Sequence, residues 1–508
     1  MSDTVDAAAL RRIRTAAIDG QAHNPVFRKT QLAKLHAALL KHSDDLQQEM
    51  LADGDSAGVR PTEVAVEYSL ALQIVADHYA ALDPVQALKD EYAVARGQDA
   101  PESRTPVGIV VIEMAADRSP HTFVYSLLSA LVPALSSGNC VVVHTPQTLL
   151  QTPRQLFHVL ETALDANIFY ASMAPSVPTE AAFGHRHVRV LQGCLPSTYS
   201  LSASSLPPVV SHPSRVVAIV ERDADVKTAA TALVRARFSF GGRSPYAPDV
   251  VLVSEWVKKD FLACAAQAAA QFMAEGGVEA GSNGTTKRKT PNKKMDSLST
   301  RLQNDQSARI ITLGSNGTVA SIEDRSSFIL QTKINEPVLA VVAITSVDDA
   351  IDFSKSLGGR PLSAAFVFTV SAPTAKYIGQ FVDADLVIVN QLPGSLLLGP
   401  VAPAGHGISP PWTDRYTTDI FSLPRPQFIS TPKKAPLVDL FLSGGTARQL
   451  QELQNKASAA LIPFQRPAKA AYVGFFEQGI ITGGLLLLSS VATGTGLLCY
   501  YGYKHVRS

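Results

Sequence analysis

With 508 residues the chain is too long for one compact core, and two or three domains are expected. Lys+Arg 45 against Asp+Glu 44 leaves almost no net charge, which excludes the basic excess a nucleic-acid binder uses to displace counterions. Cys140, Cys194, Cys264 and Cys499 are scattered without a CxxC pair, which argues against a disulfide framework and a structural zinc site.

The first twenty residues hold no apolar run, so no secretory signal is read there. Residues 28–50 place Leu32, Leu35, Leu39 and Leu46 between polar positions, the spacing of one amphipathic helix. A second helix is expected from Pro61 to Leu82. Beyond Pro101 and Pro106, Val107–Met114 reads as a buried strand, Thr122–Leu135 as a helix and Cys140–His144 as a strand. That alternation predicts a parallel sheet with crossover helices. It returns as strand Val216–Val220, helix Val226–Arg237, strand Val250–Val253 and helix Glu255–Met273. It returns again as strand Val338–Ile344, helix Val347–Ser356 and strand Ala364–Phe368. Glu275–Asn304, rich in Gly, Ser, Thr and Asn, is expected to be a solvated loop. Its basic run (Lys287, Arg288, Lys289, Lys293, Lys294) also suits anionic lipid headgroups. A Pro-rich stretch from Pro424 to Pro436 links the body to the tail.

Residues 479–503 contain neither charge nor proline. At about 1.5 Å per residue they make roughly 37 Å of helix, enough to cross about 30 Å of hydrocarbon with some tilt. Glu477 closes one end, Lys504, His505 and Arg507 the other, and Tyr500, Tyr501 and Tyr503 sit where an interfacial belt would lie. The expectation is a single-pass C-terminal anchor with the body in the cytosol, on the endoplasmic reticulum, the outer mitochondrial membrane or the peroxisome. Gly479 and Gly483 form a GxxxG that would let two such helices approach.

Four segments in register carry a family resemblance: SALVPALSSGNCVVVHTPQ, RVVAIVERDADVKTAATALVRARFSFGGRSPYAPDVVLV, NEPVLAVVAITSVDDAIDFSKSLGGRPLSAAFVFT and LLGPVAPAGHG. In order and spacing, over about residues 28–430, they resemble the aldehyde dehydrogenase superfamily. With the membrane tail, the chain is most similar to its class 3, fatty-aldehyde branch. The resemblance implies an α/β fold, a Rossmann-like cofactor domain plus an α/β catalytic domain, followed here by a transmembrane helix. The parts expected are 1–105 as the helical start of the cofactor domain, 106–238 as its Rossmann-like part, and 239–400 as the catalytic-type domain. They continue as 401–440, a return or bridging segment; 441–478, linker and tail helix; and 479–503, the anchor. A homodimer, or a heterodimer with an active relative, is implied by the resemblance alone.

The family's chemistry is thiolate attack on an aldehyde, hydride transfer to NAD or NADP, and thioester hydrolysis. Its motif Phe-x-Asn-x-Gly-Gln-x-Cys, followed by Ala-Pro-Asp, aligns without a gap on Phe238 to Asp249 and puts Pro245 in the cysteine slot. Proline offers neither a nucleophilic atom nor the backbone N–H that would help bind an oxyanion. The glutamate general-base slot holds Ser211, followed by His212, and the oxyanion asparagine slot holds Arg118 beside Asp117. On the cofactor side the ribose-binding slots hold His144, Gln147 and Lys333. The phosphate turn keeps Gly193 but has Thr198 at its second glycine, and residues 195–208 are a poor helix former. No metal site is expected, and no cofactor is assigned beyond NAD or NADP should activity persist. The sequence therefore suggests a catalytically inactive homologue that acts by binding or partner assembly. Two alternatives stand beside it: a working NAD(P)-linked oxidoreductase of long-chain aldehydes, and an esterase using Ser244 or Ser211.

Overall fold

A computed structural model describes residues 6–507 apart from 55–57, 115–120, 147, 149, 176–177, 179, 194–204, 283–297, 315–316, 358–360, 409, 412, 431–437, 439–440, 443 and 460–474. The chain divides into two units, Met1–Phe428 and Ile429–Ser508. The division falls inside the Pro-rich stretch, where missing N–H groups and fixed φ keep either unit's secondary structure from propagating.

The first unit begins with a helical layer. Leu32, Leu35, Leu39 and Leu46 are all fully buried, as their spacing predicts. They lie on two helices rather than one, Pro25–Lys41 and Ser43–Gly54. The chain turns at His42, and Asp44 and Asp45 place negative charge in the first turn of the new helix, where the macrodipole favours it. The next helix, Pro61–Ala81, starts at proline as expected, because an N1 proline has no helical N–H to lose.

In chain order come β1 (Arg104–Pro106), β2 (Ile109–Met114), β3 (Cys140–His144), β4 (Phe169–Ser172), β5 (His187–Gln192) and β6 (Val209–Ser211). Then follow β7 (Val216–Val220), β8 (Val250–Ser254), β9 (Ala308–Gly314), β10 (Gly317–Ile322), β11 (Val338–Ile344), β12 (Ala364–Phe368), β13 (Val387–Val389) and β14 (Ser422–Pro424). Five of them form a parallel sheet in the order β4-β3-β2-β5-β6. Seven form a second sheet, β13-β12-β7-β8-β11-β10-β9, parallel except for the β9–β10 hairpin. β1 and β14 make a small antiparallel ribbon.

Strand β7 and the helix Val226–Phe238 were expected at the end of the cofactor domain, residues 106–238, but they belong to the seven-stranded sheet. The chain changes sheets between Ser211 and Val216, and runs of valine cannot reveal this because strands buried on both faces look alike in either sheet. Val216, Ala218 and Val220 enter one apolar cluster while Val217 and Ile219 enter the other, so the second sheet is covered on both sides. A second difference concerns Glu275–Asn304: the helix Lys258–Ser282 runs into it, and Leu298–Gln303 is helical as well. The basic run at 287–294 lies outside the described residues.

Asn139 ties three parts of the first unit together. Fully buried, it accepts from Gly108 N–H at 2.9 Å and donates to the carbonyls of Ala134 and Phe421 at 3.0 and 2.9 Å. Asn139→Ala strands the buried N–H of Gly108 and takes one of two donors from the carbonyls of Ala134 and Phe421. The expected loss is roughly 2–4 kcal/mol, read as a lower midpoint in urea unfolding of the full chain in detergent.

The second unit contains a helix at Ala447–Ala459 and another at Phe475–Arg507. The latter contains a 25-residue span, Glu477–Tyr501, long and apolar enough to cross a membrane, and none of it is buried in protein. That is two residues ahead of the expected 479–503. The hydroxyls of Thr482, Ser490, Thr493 and Thr495 donate to carbonyls four residues back, so these polar groups are satisfied inside the helix.

Candidate functional site

The loop between Phe238 and Asp249 is set by buried charge. Arg237, with no exposed surface, donates to the carbonyls of Gly242, Ile334, Ala247 and Pro248 and lies 3.5 Å from Asp249. Burial pushes this guanidinium down to about 10, against the opposing pull of Asp249. Asp249 also accepts the N–H groups of Val216 and Ile334 at 2.8 and 2.9 Å. The loop then turns through left-handed conformations at Phe240 (φ 53°), Gly241 and Gly242. Gly242 cannot carry a side chain, since a Cβ there would lie 2.3 Å from the Glu336–Pro337 backbone. Phe240 stands where the resemblance leads one to expect an asparagine, a residue that tolerates this conformation better. Its N–H is held at 2.9 Å by Glu63, which also accepts from Arg60 N–H.

Pro245 is buried within this loop, and its carbonyl accepts from Lys333 Nζ at 2.8 Å. The same ammonium reaches Asp249 at 2.9 Å. Lys333, expected to face a cofactor ribose, is thus committed to the loop. Burial lowers its proton affinity more than Asp249 restores it, and Arg237 and Arg215 push the same way. Ser244 is fully buried, and its Oγ has no hydrogen-bond partner among the described residues; no base stands beside it to activate attack.

Ser211 is fully buried, its Oγ 2.7 Å from the hydroxyl of Tyr416, which is itself 1% exposed. His144 is turned inward, with Nε2 on the carbonyl of Ala174 at 2.9 Å, and burial lowers its proton affinity. Gly193 keeps the left-handed φ of 76° and donates to Ser211 O at 2.9 Å. Arg118, Gln147 and Thr198 lie outside the described residues.

Two helix N-termini in the first sheet's layer are filled by the protein's own carboxylates. Glu67 accepts from Val124 and Tyr125 N–H at 3.1 and 3.3 Å, at the start of the fully buried helix Phe123–Ser136. Asp53 accepts from Gln151 and Thr152 N–H at 3.2 and 2.8 Å, at the start of Gln151–Ala163. Neither helix has an N-cap side-chain bond of its own, so groups distant in sequence cap both.

Glu67, Asp53, Arg243, His121, Phe240 and Thr122 line a cavity of about 50 Å³, which has room for water. Arg243 stands there, at the position where the resemblance leads one to expect a glutamine, its charge opposed by Glu67 and Glu63. Burial lowers His121 to about 3, helped by Arg243, and the imidazole donates to Leu397 O at 2.6 Å. Burial raises Glu67 to about 7. A carboxyl raised from its ordinary value in the folded state binds a proton more tightly there than in the unfolded chain. Its contribution is therefore fully present below pH 4.5 and is lost as pH rises toward 7. Glu67→Gln keeps the acceptor without the charge, so it should flatten the decline in stability between pH 5 and 7.5, measured by thermal unfolding across that range. An unchanged slope counts against Glu67 as its source.

A larger cavity, about 240 Å³, lies under the loop 401–408. Val210 and His212, on either side of Ser211, line it together with Tyr246, next to Pro245, so the two positions expected as general-base and nucleophile slots border one space. The loop is strapped down by Ala402 N–H on the Tyr246 hydroxyl and by Ala404 N–H on Val210 O, both at 3.0 Å. Of the groups that matter, Arg243 was visible in the motif, whereas Tyr416, Glu67 and His121 had no sequence signal beyond their type.

A model of the aldehyde dehydrogenase family matches residues 3–400. Aldehyde dehydrogenase family 3 member B1 of Rattus norvegicus is 24% identical over 473 residues, covering 87% of this chain and 96% of that protein. The 4,4'-diaponeurosporen-aldehyde dehydrogenase of Staphylococcus aureus is 22% identical over 64% of this chain and 72% of its own. Among solved structures, Staphylococcus aureus AldH in a substrate-bound state superimposes with a TM-score of 0.61 at 16% identity, over 89% of this chain and all of that one. An indole-3-acetaldehyde dehydrogenase complexed with NAD+ gives 0.60 at 18% identity, over 84% and 90%. At such identity the structural likeness bears on the fold alone.

Proposed function

The chain belongs to the aldehyde dehydrogenase family, and from that premise we propose that it is a membrane-anchored member that no longer oxidises aldehydes and acts by binding. The observation that carries this reading is Pro245 in the cysteine slot, with its carbonyl held by Lys333. Loss of a nucleophile removes the covalent route, and loss of a positioned base typically costs about 10² or more in rate. The base slot, Ser211, is closed by Tyr416. The ribose slots at His144 and Lys333 are turned to internal partners, which supports weak or absent NAD(P) binding.

As a bound protein it would sit in the membrane through residues 479–503, with the body in the cytosol. The endoplasmic reticulum, outer mitochondrial membrane and peroxisome all suit a short basic end. Its partner would be a second copy or an active relative. The second reading, NAD(P)-linked oxidation of long-chain aldehydes by rearranged residues, draws on family membership and on relatives that are named as aldehyde dehydrogenases and match most of the chain. Full-length protein in detergent separates the two. The first reading expects neither aldehyde-dependent NAD(P)H formation nor thermal stabilisation by NAD or NADP; saturable turnover sinks it. Hydrolysis of an activated ester, abolished by Ser244→Ala or Ser211→Ala, would instead identify an esterase.

A further inference from the structure

We propose that the stretch between the body and the anchor, Val438 to Ala459, lies flat on an anionic membrane surface. The inference rests on the membrane-anchor part of the reading above and adds a second, separate lipid contact ahead of the anchor. It begins from exposed apolar side chains. Val438, Phe441 and Leu442 are each more than half exposed, and their i, i+3, i+4 spacing puts them side by side on one helical turn. Gly444, left-handed at φ 72°, then turns the chain. Thr446 opens the helix Ala447–Ala459: its N–H and its hydroxyl both donate to Gln449 Oε1, at 2.8 and 3.0 Å. In that helix Ala447, Leu450, Leu453 and Ala457 fall on one face, with Arg448, Glu452, Asn455 and Lys456 on the other. Lys456 pairs with Glu452 at 3.5 Å, away from the apolar stripe, and Leu450 is exposed.

Tether and charge together select lipid as what covers this face. From Ala459 to Phe475, where the anchor helix starts, the chain reaches at most about 55 Å when fully extended. The segment is therefore held close to the bilayer at a high effective concentration. Residues 429–476 contain six Lys and Arg against two Asp and Glu, although the whole chain carries a net charge of only +1. Anionic headgroups attract such a local excess, while the apolar stripe enters the boundary between headgroups and acyl chains. The stems of Arg448 and Lys456 are long enough to keep their charged ends among the headgroups as the leucines turn inward.

The test is fluorescence quenching by brominated lipid, with the full-length protein reconstituted into vesicles. Leu450→Trp puts a reporter on the apolar face, and the emission of the unsubstituted protein, which has two tryptophans of its own, is subtracted. In dibrominated phosphatidylcholine with about 30% phosphatidylserine, the added emission should fall at least about twofold relative to unbrominated vesicles. Omitting phosphatidylserine should remove most of that loss, and so should Arg448→Gln combined with Lys456→Gln. Emission that bromine leaves unchanged overturns the proposal. If that emission is also blue-shifted, the face is covered by a second copy or by the chain's own body instead. Quenching indifferent both to phosphatidylserine and to the paired substitution overturns the proposal as well. Carbonate extraction of the same vesicles separates the two readings. A chain that is extracted loses the anchor, whereas a retained chain with an unquenched reporter loses this inference alone.

Discussion

Deletion of residues 479–503 should move the protein from the membrane pellet to the supernatant almost completely. The span Glu477–Tyr501 has no acidic or basic residue after Glu477 and is not covered by protein, so burial in lipid is the available way to remove its apolar side chains from water. Two charges should act like the deletion. Leu487→Lys with Val491→Lys adds about 5–7 kcal/mol to the cost of insertion, since each lysine near the helix centre costs about 2.5–3.5 kcal/mol. Carbonate extraction of membranes reads both variants. The body, residues 1–428, should keep its circular dichroism in each case, because its core is built from its own elements. A deletion variant that stays in the pellet after carbonate extraction would mean that another segment holds the membrane.

The second large effect is expected at Asp249. Asp249→Asn preserves shape but leaves Arg237, fully buried, and Lys333, mostly buried, without their counter-charge. Removing one partner of a buried ion pair costs roughly 3–5 kcal/mol, far more than the pair contributes relative to apolar residues. Denaturant unfolding should show this as a lowered midpoint with the slope retained. Adding Lys333→Met to Asp249→Asn removes one stranded cation and should recover part of the loss. Full additivity of the two substitutions would show that the groups do not interact.

Much of the fold was legible because its signals are local. Strands Cys140–His144, Val216–Val220, Val338–Ile344 and Ala364–Phe368 and the helix Val347–Ser356 form at their expected bounds. Continuous β-branched runs and amphipathic spacing are properties of a few adjacent residues. The turn at His42 was missed because one leucine stripe runs through both helices. The helix through Glu275–Ser282 was missed because continuation of a preceding helix outweighs glycine's weak propensity.

The candidate site divides in the same way. The sequence by itself determined which atoms are present: a proline at position 245, a serine at 211, a lysine at 333, and a tail without charge. Those are facts of composition, fixed before any folding. Only the tertiary structure decided what the replacements do. Lys333 turned onto Pro245 and Asp249, Tyr416 met Ser211 across 205 residues of chain, and Glu67 capped a helix that begins 56 residues later. Hydrogen bonds and ion pairs act over about 3 Å of space, whatever the distance along the sequence. Which partner a buried polar group finds is therefore set by packing of the whole unit.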